Sequence, residues 1–480
     1  MKAITTSTLA VLLLGALTAG SAAQETPPST PGSTADPIAA EEVSDGDMAL
    51  ADLLLKKGLI SQEEWQGIRD KIEQRQAQTV ERTLQRTLQR LAQEPPPTSW
   101  SDGRFDVTAG YSGLKITSPD KDFSFNFGGR LLLDAAGFKE GKSDLGNGTE
   151  VRRMRMKMDG TIDRVWGYKM EVNYGAGGGS DITDAWVKYG GWESSDVLVG
   201  HQKVTFSQQN LTSSNWQLFQ ERSLPHAFID SGALGSRRLG VAGSSWGDQY
   251  YASAGLFGEG LDDDGKNNED WGASARVVVA PIRNEDQVLA VGASVYVRDL
   301  SSNSNLRFSS RPESHIAGTK LVDTGIITGA DEVTMADAEL TMINGRFHAE
   351  AEYFDVSVGR SGGMSSAKFD GYYAQAGWFL TDDTRAFSMK GAKFGRVKPK
   401  GENGAWELAA RISSIDLSHR DIRGGREDNM TFGLNWWINP SMAMRFNYVY
   451  IHARETAEKL ALASSSEHAG AFQVRLQVVF

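Results

Sequence analysis

Arg153, Arg155, Lys157 and Asp159 lie two residues apart on one face of the segment 149–162, and Met154, Met156 and Met158 lie on the other. A row of cations so spaced can hold oxyanions: a guanidinium is always charged and offers forked donors, and an ammonium adds a point charge. Catalytic and metal chemistry have weaker claims on the chain. His201, His226, His315, His348, His419, His452 and His468 are scattered without metal-site spacing. The glycine-rich stretch 175–179 follows a strand and lacks both a GK[ST] and a helix, so it reads as a simple loop and not a nucleotide loop. The acidic run 262–269 lacks the alternating ligands and flanking helices of an EF-hand and reads as a solvated loop, with a surface site for divalent cations as the alternative. A Ser and a His on neighbouring strands could still build a hydrolase, but no residue is assigned a catalytic, metal or cofactor role, and the expectation is a protein that is not an enzyme.

The elements that must carry such charged faces repeat the alternation. Phe472, Val474, Leu476, Val478 and Phe480 alternate with Gln473, Arg475 and Gln477, and Met442, Met444, Phe446, Tyr448 and Tyr450 share one face. Trp406, Leu408, Ala410 and Ile412 oppose Glu407 and Arg411. In a soluble sandwich the apolar face enters a core; in a membrane barrel it meets lipid while the polar face lines a lumen. The 480 residues carry 52 Gly, 12 Trp, 12 Tyr, 20 Phe and no Cys, at a net charge of −11 and a mean hydropathy of −0.37. A barrel accommodates this mixture, because half of every strand faces water and no run of about 18 apolar residues is needed. The lack of cysteine excludes a disulfide framework and thiolate metal sites. The acidic balance gives nucleic-acid binding no support, so any anion site is made locally.

Sixteen alternating segments begin near Asp122, Thr149, Trp166, Asp181, Asp196, Ser236, Gln249, Asp270, Gln287, Val333, Arg346, Phe369, Gly404, Asp428, Ser441 and His468. An even count closes a barrel with both ends in the periplasm. Tight connections at 163–165, 191–195, 247–248, 282–286, 344–345 and 439–440 alternate with long ones at 139–148, 205–235, 259–269, 299–332 and 454–467. The connection 382–403 is long on the supposedly short side, and the poor strand candidate within it is left out of the count. The expected fold is all-β, a 16-stranded antiparallel transmembrane β-barrel over 122–480 with aromatic girdles, carrying an N-terminal periplasmic helical or coiled-coil extension.

Upstream, Lys2, an apolar run at 9–17 and the small residues Ser21, Ala22 and Ala23 mark a signal peptide over 1–23. Residues 24–47 read as a Pro/Ser/Thr-rich disordered linker. Over 48–93 apolar residues recur at helical spacing, with a C-cap at Lys57-Gly58, a capping box from Ser61 to Glu64 and a TLQR repeat at 83–90. The region is a helical hairpin that forms either a coiled coil assembling subunits or a solvated spacer. A Pro-rich linker and a periplasmic hairpin occupy 94–121.

Several motifs in order resemble the phosphate-selective porin O and P family. They are Asn126-Phe-Gly-Gly-Arg130-Leu-Leu-Leu-Asp134, Val151-Arg-Arg-Met-Arg155, Asp184-Ala-Trp-Val-Lys-Tyr189, Val199-Gly-His201, Leu211-Thr-Ser-Ser-Asn-Trp216, Glu221-Arg222 and Gly404-Ala-Trp-Glu-Leu-Ala-Ala-Arg411. The resemblance runs over about 105–480 and implies a homotrimer in the bacterial outer membrane. It implies a third external loop folded into the lumen, and a channel for phosphate or other small anions. By that likeness Arg130, Arg152, Arg153, Ser213, Ser214 and Arg222 match anion-contact positions, and the terminal Phe480 matches the signal read by the barrel assembly machinery. Where phosphate-selecting members carry lysines on the inward loop, this chain has Asn210 and Asn215. Arg155 and Lys157 add positive charge to the same lumen face.

Two competing readings remain. Arg130 and Arg153 could be wall residues paired with carboxylates such as Asp184, and Glu350 and Glu352 share a polar face, which together would give a weakly selective general porin. The barrel could alternatively be a structural or adhesion device that uses 48–93 as a tether. Arg152 and Arg153 are adjacent, so a regular strand turns only one of them inward unless a bulge intervenes.

Overall fold

The computed structural model describes residues 54–57, 59–67, 69–70, 105–139, 141–175, 179–261, 269–284, 286–300, 305–454 and 466–480. The chain divides into two units, Met1–Ser101 and Asp102–Phe480. In the first, Ser61 N donates to Glu64 Oε2 at 2.8 Å and Glu64 N to Ser61 Oγ at 3.2 Å. These reciprocal bonds cap helical residues 62–67. The signal peptide, the linker, most of the helical region and the acidic run up to residue 268 lie outside the described residues.

The second unit begins with a short hairpin, β1 (Asp106–Gly110) and β2 (Gly113–Thr117), whose second strand pairs with the start of β3 (Ser124–Lys139). The chain then runs through β4 (Gly148–Ile162), β5 (Trp166–Tyr174), β6 (Ser180–Trp192), β7 (Ser195–Lys203), β8 (Arg237–Trp246), β9 (Tyr250–Phe257), β10 (Gly272–Arg283) and β11 (Gln287–Asp299). After two short strands, β12 (Ser309–Ser310) and β13 (Val322–Asp323), come β14 (Ala330–Asn344), β15 (Phe347–Arg360) and β16 (Ala367–Phe379). Two more short strands follow, β17 (Phe387–Ser388) and β18 (Lys393–Phe394), and the wall finishes with β19 (Ala405–His419), β20 (Ile422–Trp437), β21 (Met442–Arg454) and β22 (Glu467–Val479). Each long strand pairs antiparallel with its neighbour, and β22 pairs with β3 from Gly470 opposite Lys139 to Val479 opposite Arg130. The sixteen long strands therefore close, and no edge remains in the wall.

Period-two patterning produces a wall that is inside out relative to a soluble protein. Arg276, Arg298 and Arg445 are 0% exposed, whereas Phe432, Trp378 and Phe472 are more than half exposed. Alternation along β16 is regular, with Phe369, Tyr373 and Gln375 inward and Asp370, Tyr372 and Trp378 outward. An apolar exterior around a polar interior is stable only in lipid.

The barrel closes at a tight seam. Gly129 N donates to Phe480 O at 2.6 Å, and Phe480 N donates to Gly129 O at 3.0 Å. A Cβ on Gly129 would sit 2.6 Å from Arg155 O and 2.8 Å from the Phe480 ring, so glycine is required where the last residue meets the first wall strand.

The long connection left out of the strand count stays out of the wall, and the strand placed near Asp428 starts earlier, at Ile422. The segment 382–403 folds into the lumen as the small hairpin β17–β18, Phe387 pairing with Phe394 and Ser388 with Lys393. It is too short to join the wall, so the count of sixteen is unaffected. The connection ahead of Asp428 is tight: β19 runs to His419 and β20 starts at Ile422, turning at Arg420 with φ 55°. Its outward residues there are Arg426 and Asp428, so the strand carries no apolar alternation to reveal it.

Candidate functional site

β4 brings the first cations inward, and it does so through a bulge. Its register with β3 shifts between Leu132, opposite Arg153, and Leu133, opposite Val151, leaving Arg152 as the extra residue. Val151 and Met154 face outward, and Arg152 and Arg153 both turn away from lipid. Arg152 Nε and Nη2 donate to Glu221 Oε1 and Oε2 at 2.9 and 3.0 Å. The Arg153 side chain has no hydrogen bond or ion pair among the described residues and lines a cavity of about 740 Å³.

The third loop, residues 204–236, supplies one side of that cavity. A short turn, α1 (Gln208–Leu211), starts at Ser207, whose Oγ accepts from Asn210 N at 3.2 Å. Gln208 N and Gln209 N donate to Glu352 at 2.7 and 3.1 Å, and Gln208 Nε2 donates to Glu350 Oε2 at 2.8 Å. Glu350 and Glu352 thus anchor the loop and do not line the cavity. Farther along, Arg445 Nη2 donates to Asn215 O at 3.0 Å, Asn435 Nδ2 to Leu218 O at 2.9 Å, Arg411 Nη1 to Glu221 O at 3.1 Å, and Arg475 Nη1 to Gln220 O. The arginines of β19, β21 and β22 therefore bind loop backbone. Burial pushes the Glu221 carboxyl up, and Arg152 and Arg475 outweigh it, so the group is held well below the usual carboxylate range.

Pinned to that wall, the loop leaves the opening on the side of β4 to β9, with the hairpin β17–β18 as a further border. Arg130 reaches across: Nη2 donates to both Glu171 oxygens at 2.9 Å, and Nη1 donates to Ser214 Oγ and Asn215 Oδ1 at 3.0 Å and to Ser213 Oγ at 3.4 Å. Arg155 Nη1 donates to Glu171 Oε1 at 2.8 Å. Asp184 takes Lys169 at 2.5 Å and Arg237 at 3.2 Å. Arg222 is held by backbone alone, through Gln209 O at 3.0 Å, Thr212 O at 3.2 Å and Asn210 O at 3.4 Å.

Nine cationic side chains line the cavity against four carboxylates. Glu171, Asp184 and Asp196 are bridged by lysine or arginine, and Asp230 lies 3.3 Å from His226 Nε2. Arg153, Lys203, Arg222, Lys390 and Lys393 have no carboxylate at ion-pair distance among the described residues. Three of the four acids are spent on lysine or arginine partners, Asp230 has only the His226 ring beside it, and the surplus is positive.

Of the residues singled out from sequence, Arg130, Arg153, Arg155, Ser213, Ser214 and Arg222 come together around this opening. Arg152 lies outside it as a loop clamp, and Lys157 is paired with Asp159 at 2.7 Å. Asn210 is buried, its amide donating to Phe206 O at 3.2 Å and Val204 O at 3.4 Å, so it turns away from the opening. Arg130 pairs with Glu171, whereas Asp184 serves Lys169 and Arg237. Sequence reasoning missed Lys169, Lys203, Arg237, Lys390 and Lys393. Lys203 and Arg237 flank the third loop, a position that could have flagged them; Lys390 and Lys393, on the connection 380–404, sit where no periodicity points.

The phosphate-selective porin O and P family matches residues 125–480. The chain belongs to that family. Porin O of Pseudomonas aeruginosa is 28% identical over 419 residues, covering 80% of this chain and 94% of that protein. An uncharacterized protein of Caulobacter vibrioides is 30% identical over 377 residues, 74% of this chain and 73% of that one. In fold, an anion-selective porin from Comamonas acidovorans superposes with a TM-score of 0.50 at 14% identity, over 75% of this chain and all of that one. As a porin of this family the chain is an outer-membrane channel, which leaves the hydrolase reading without support.

Proposed function

We propose that the chain forms a passive, anion-preferring pore whose solutes are phosphate or similar small oxyanions, and that it works as a homotrimer. The observation that carries the reading is the unpaired charge of Arg153 and Arg222 on a lining in which cations outnumber carboxylates nine to four. Forked guanidinium donors suit tetrahedral oxyanions. Ser213 and Ser214 add neutral donors, and a conducting site must release what it binds. The rival is a weakly selective pore, favoured by the pairing of Arg130 and Arg155 with Glu171. Single-channel recording in planar bilayers under a potassium chloride gradient, with and without added phosphate, separates the two. The anion reading expects a reversal potential on the chloride side and block of the chloride current by phosphate. A potassium-side reversal potential without block overturns it.

A further inference from the structure

The hairpin β1–β2 ends where the closing seam begins. β2 pairs with β3 from Thr117 opposite Ser124 to Leu114 opposite Phe127, and two residues farther along β3 Gly129 exchanges its two bonds with Phe480. The switch falls at Gly128, where a Cβ would lie 2.5 Å from Phe480 O and 3.1 Å from Ser112 O. One edge of β3 is thus covered by two partners set end to end, β22 and then β2. Two side chains hold the hairpin tip. Tyr111 O accepts from Arg396 Nη1 at 2.7 Å and from Ser441 Oγ at 3.3 Å, and Arg396 Nη1 also donates to Ser112 Oγ at 3.4 Å. Ser441 belongs to the turn between β20 and β21. Arg396 belongs to the connection 380–404, which Arg276 fixes to the wall through Gly391 O at 2.9 Å and Ala392 O at 2.8 Å. The same Arg396 guanidinium lies over Trp216 of the third loop, 5.0 Å from the ring centroid. Trp216 packs against the cluster of Phe379, Val397 and Trp437, and it borders the opening. Its amide donates to Ser213 O at 2.9 Å, and it directly follows Ser213, Ser214 and Asn215, the three loop residues that Arg130 bonds.

We propose that Arg396 is a positioning residue that ties the hairpin β1–β2 to the third loop, and that this tie holds the opening at one width. The proposal concerns the channel and not its ion preference, so it does not depend on the anion reading above. A planar guanidinium serves both partners at once, its edge donating to a carbonyl while its face covers an indole, and an ammonium cannot do both. The Tyr111 carbonyl has two lone pairs, so it takes Arg396 and Ser441 together. Arg396 has no carboxylate at ion-pair distance among the described residues, and the hairpin and Trp216 are what it holds. Without Arg396 the tip keeps only Ser441 and its ladder with β3, and Trp216 loses the group that covers its ring. The Ser213–Asn215 rim is then freer to shift against Arg130. Arg385 Nη2 still donates to Trp216 O and Arg445 Nη2 to Asn215 O, so the loop stays in the lumen. What is lost is the steadiness of the opening and not the constriction itself.

The test uses the full chain in planar bilayers, with heat-dependent gel mobility to show that each variant is a folded barrel. Arg396→Gln is expected to raise the open-channel current noise and to split the open level into sublevels. Arg396→Lys, which keeps the charge without the planar fork, is expected to be noisier than wild type as well. Lys400→Gln removes an exposed charge from the same connection, one paired with Asp382 at 3.9 Å, and is expected to stay as quiet as wild type. Gly113→Val attacks the other end of the tie. Gly113 takes φ 98°, and a Cβ there would lie 2.0 Å from Phe127 O, so the tip must shift while no charge changes. This variant is expected to reproduce the Arg396→Gln noise, and the double variant to be no noisier than either single one. Wild-type currents from a folded Arg396→Gln barrel overturn the proposal. A quiet Arg396→Lys barrel, or equal noise in Lys400→Gln, would make charge and not the fork the cause and overturns it too. Additive noise in the double variant does the same, because the hairpin and Arg396 would then act separately. If Gly113→Val gives no folded barrel, the three single variants at Arg396 and Lys400 decide alone.

Discussion

Arg152 on β4 and Glu221 on the third loop are joined by two parallel bonds, 2.9 and 3.0 Å long. The same carboxylate receives Arg475 Nη2 of β22 at 2.7 Å, so it ties the loop to two strands on either side of the closing seam. Arg153, the next residue, makes no such bond. One bulge thus divides two identical side chains between tasks: Arg152 positions the loop, and Arg153 presents charge to the opening.

Replacing each separates these tasks. Arg153→Ala is expected to lower anion preference with an unchanged folded barrel. Arg152→Ala leaves Glu221 with one partner fewer. The pair keeps slight exposure, so its loss is expected to cost roughly 2 kcal/mol, below the ~3–5 kcal/mol of a fully buried pair. The expected signature is a noisier, larger conductance and earlier thermal unfolding on gels. Equal effects of the two variants on reversal potential, with quiet currents in both, would refute the division.

Asn210→Lys tests the meaning of the neutral loop. A lysine facing the opening would strengthen phosphate block, but the Asn210 amide is buried and donates to Phe206 O and Val204 O. The variant must strand those carbonyls or expel the turn, at about 1–3 kcal/mol for each buried group left unpaired. Phosphate block is therefore expected to stay level or weaken, with lower thermal stability. Tighter block in a barrel as stable as wild type would show that the loop can re-form with residue 210 facing the opening.

The wall and the place of the inward loop were legible because they rest on local pattern. Segments with Met154, Met156 and Met158 outward keep their period whatever they pair with, and an insertion after the fifth strand follows from the order of segments. The adjacency of Arg152 and Arg153 even posed the question that the bulge answers. Which cation meets which carboxylate was not legible, because cross-strand pairs depend on register and strand order. Glu171 meets Arg155 across the ladder between β4 and β5 and reaches Arg130 one strand farther on. Lys393 escaped notice for another reason. It is positioned by Arg276 and Glu339 from strands more than 50 residues away in sequence, and no local pattern encodes that.

Gly129→Val tests the closing seam. The added side chain meets Arg155 O and the Phe480 ring at sub-contact distance, and β22 cannot shift by one residue without turning Arg475 and Gln473 to lipid. The expected outcome is a sharp drop in folded barrel, read as loss of heat-dependent mobility on gels. Gly137→Ala, whose added carbon finds only Asn147 Oδ1 at 3.8 Å, is expected to fold normally. Normal yield of the Gly129→Val barrel would mean that the seam is softer than its contacts imply.

Deleting residues 48–93 separates the roles open to the helical region. Among the described residues the wall closes within Asp102–Phe480, β22 on β3, and all sixteen of its strands lie there. A barrel without 48–93 is therefore expected to insert, to show heat-dependent mobility and to keep the wild-type reversal potential. Subunit number on a gel run without heating then discriminates the alternatives. Retained trimers fit a spacer, with assembly carried by the barrel walls. Monomers that still conduct fit a coiled coil that assembles subunits. A deletion that leaves no folded barrel would contradict the closure argument, because it would make the wall depend on residues that contribute none of its sixteen strands.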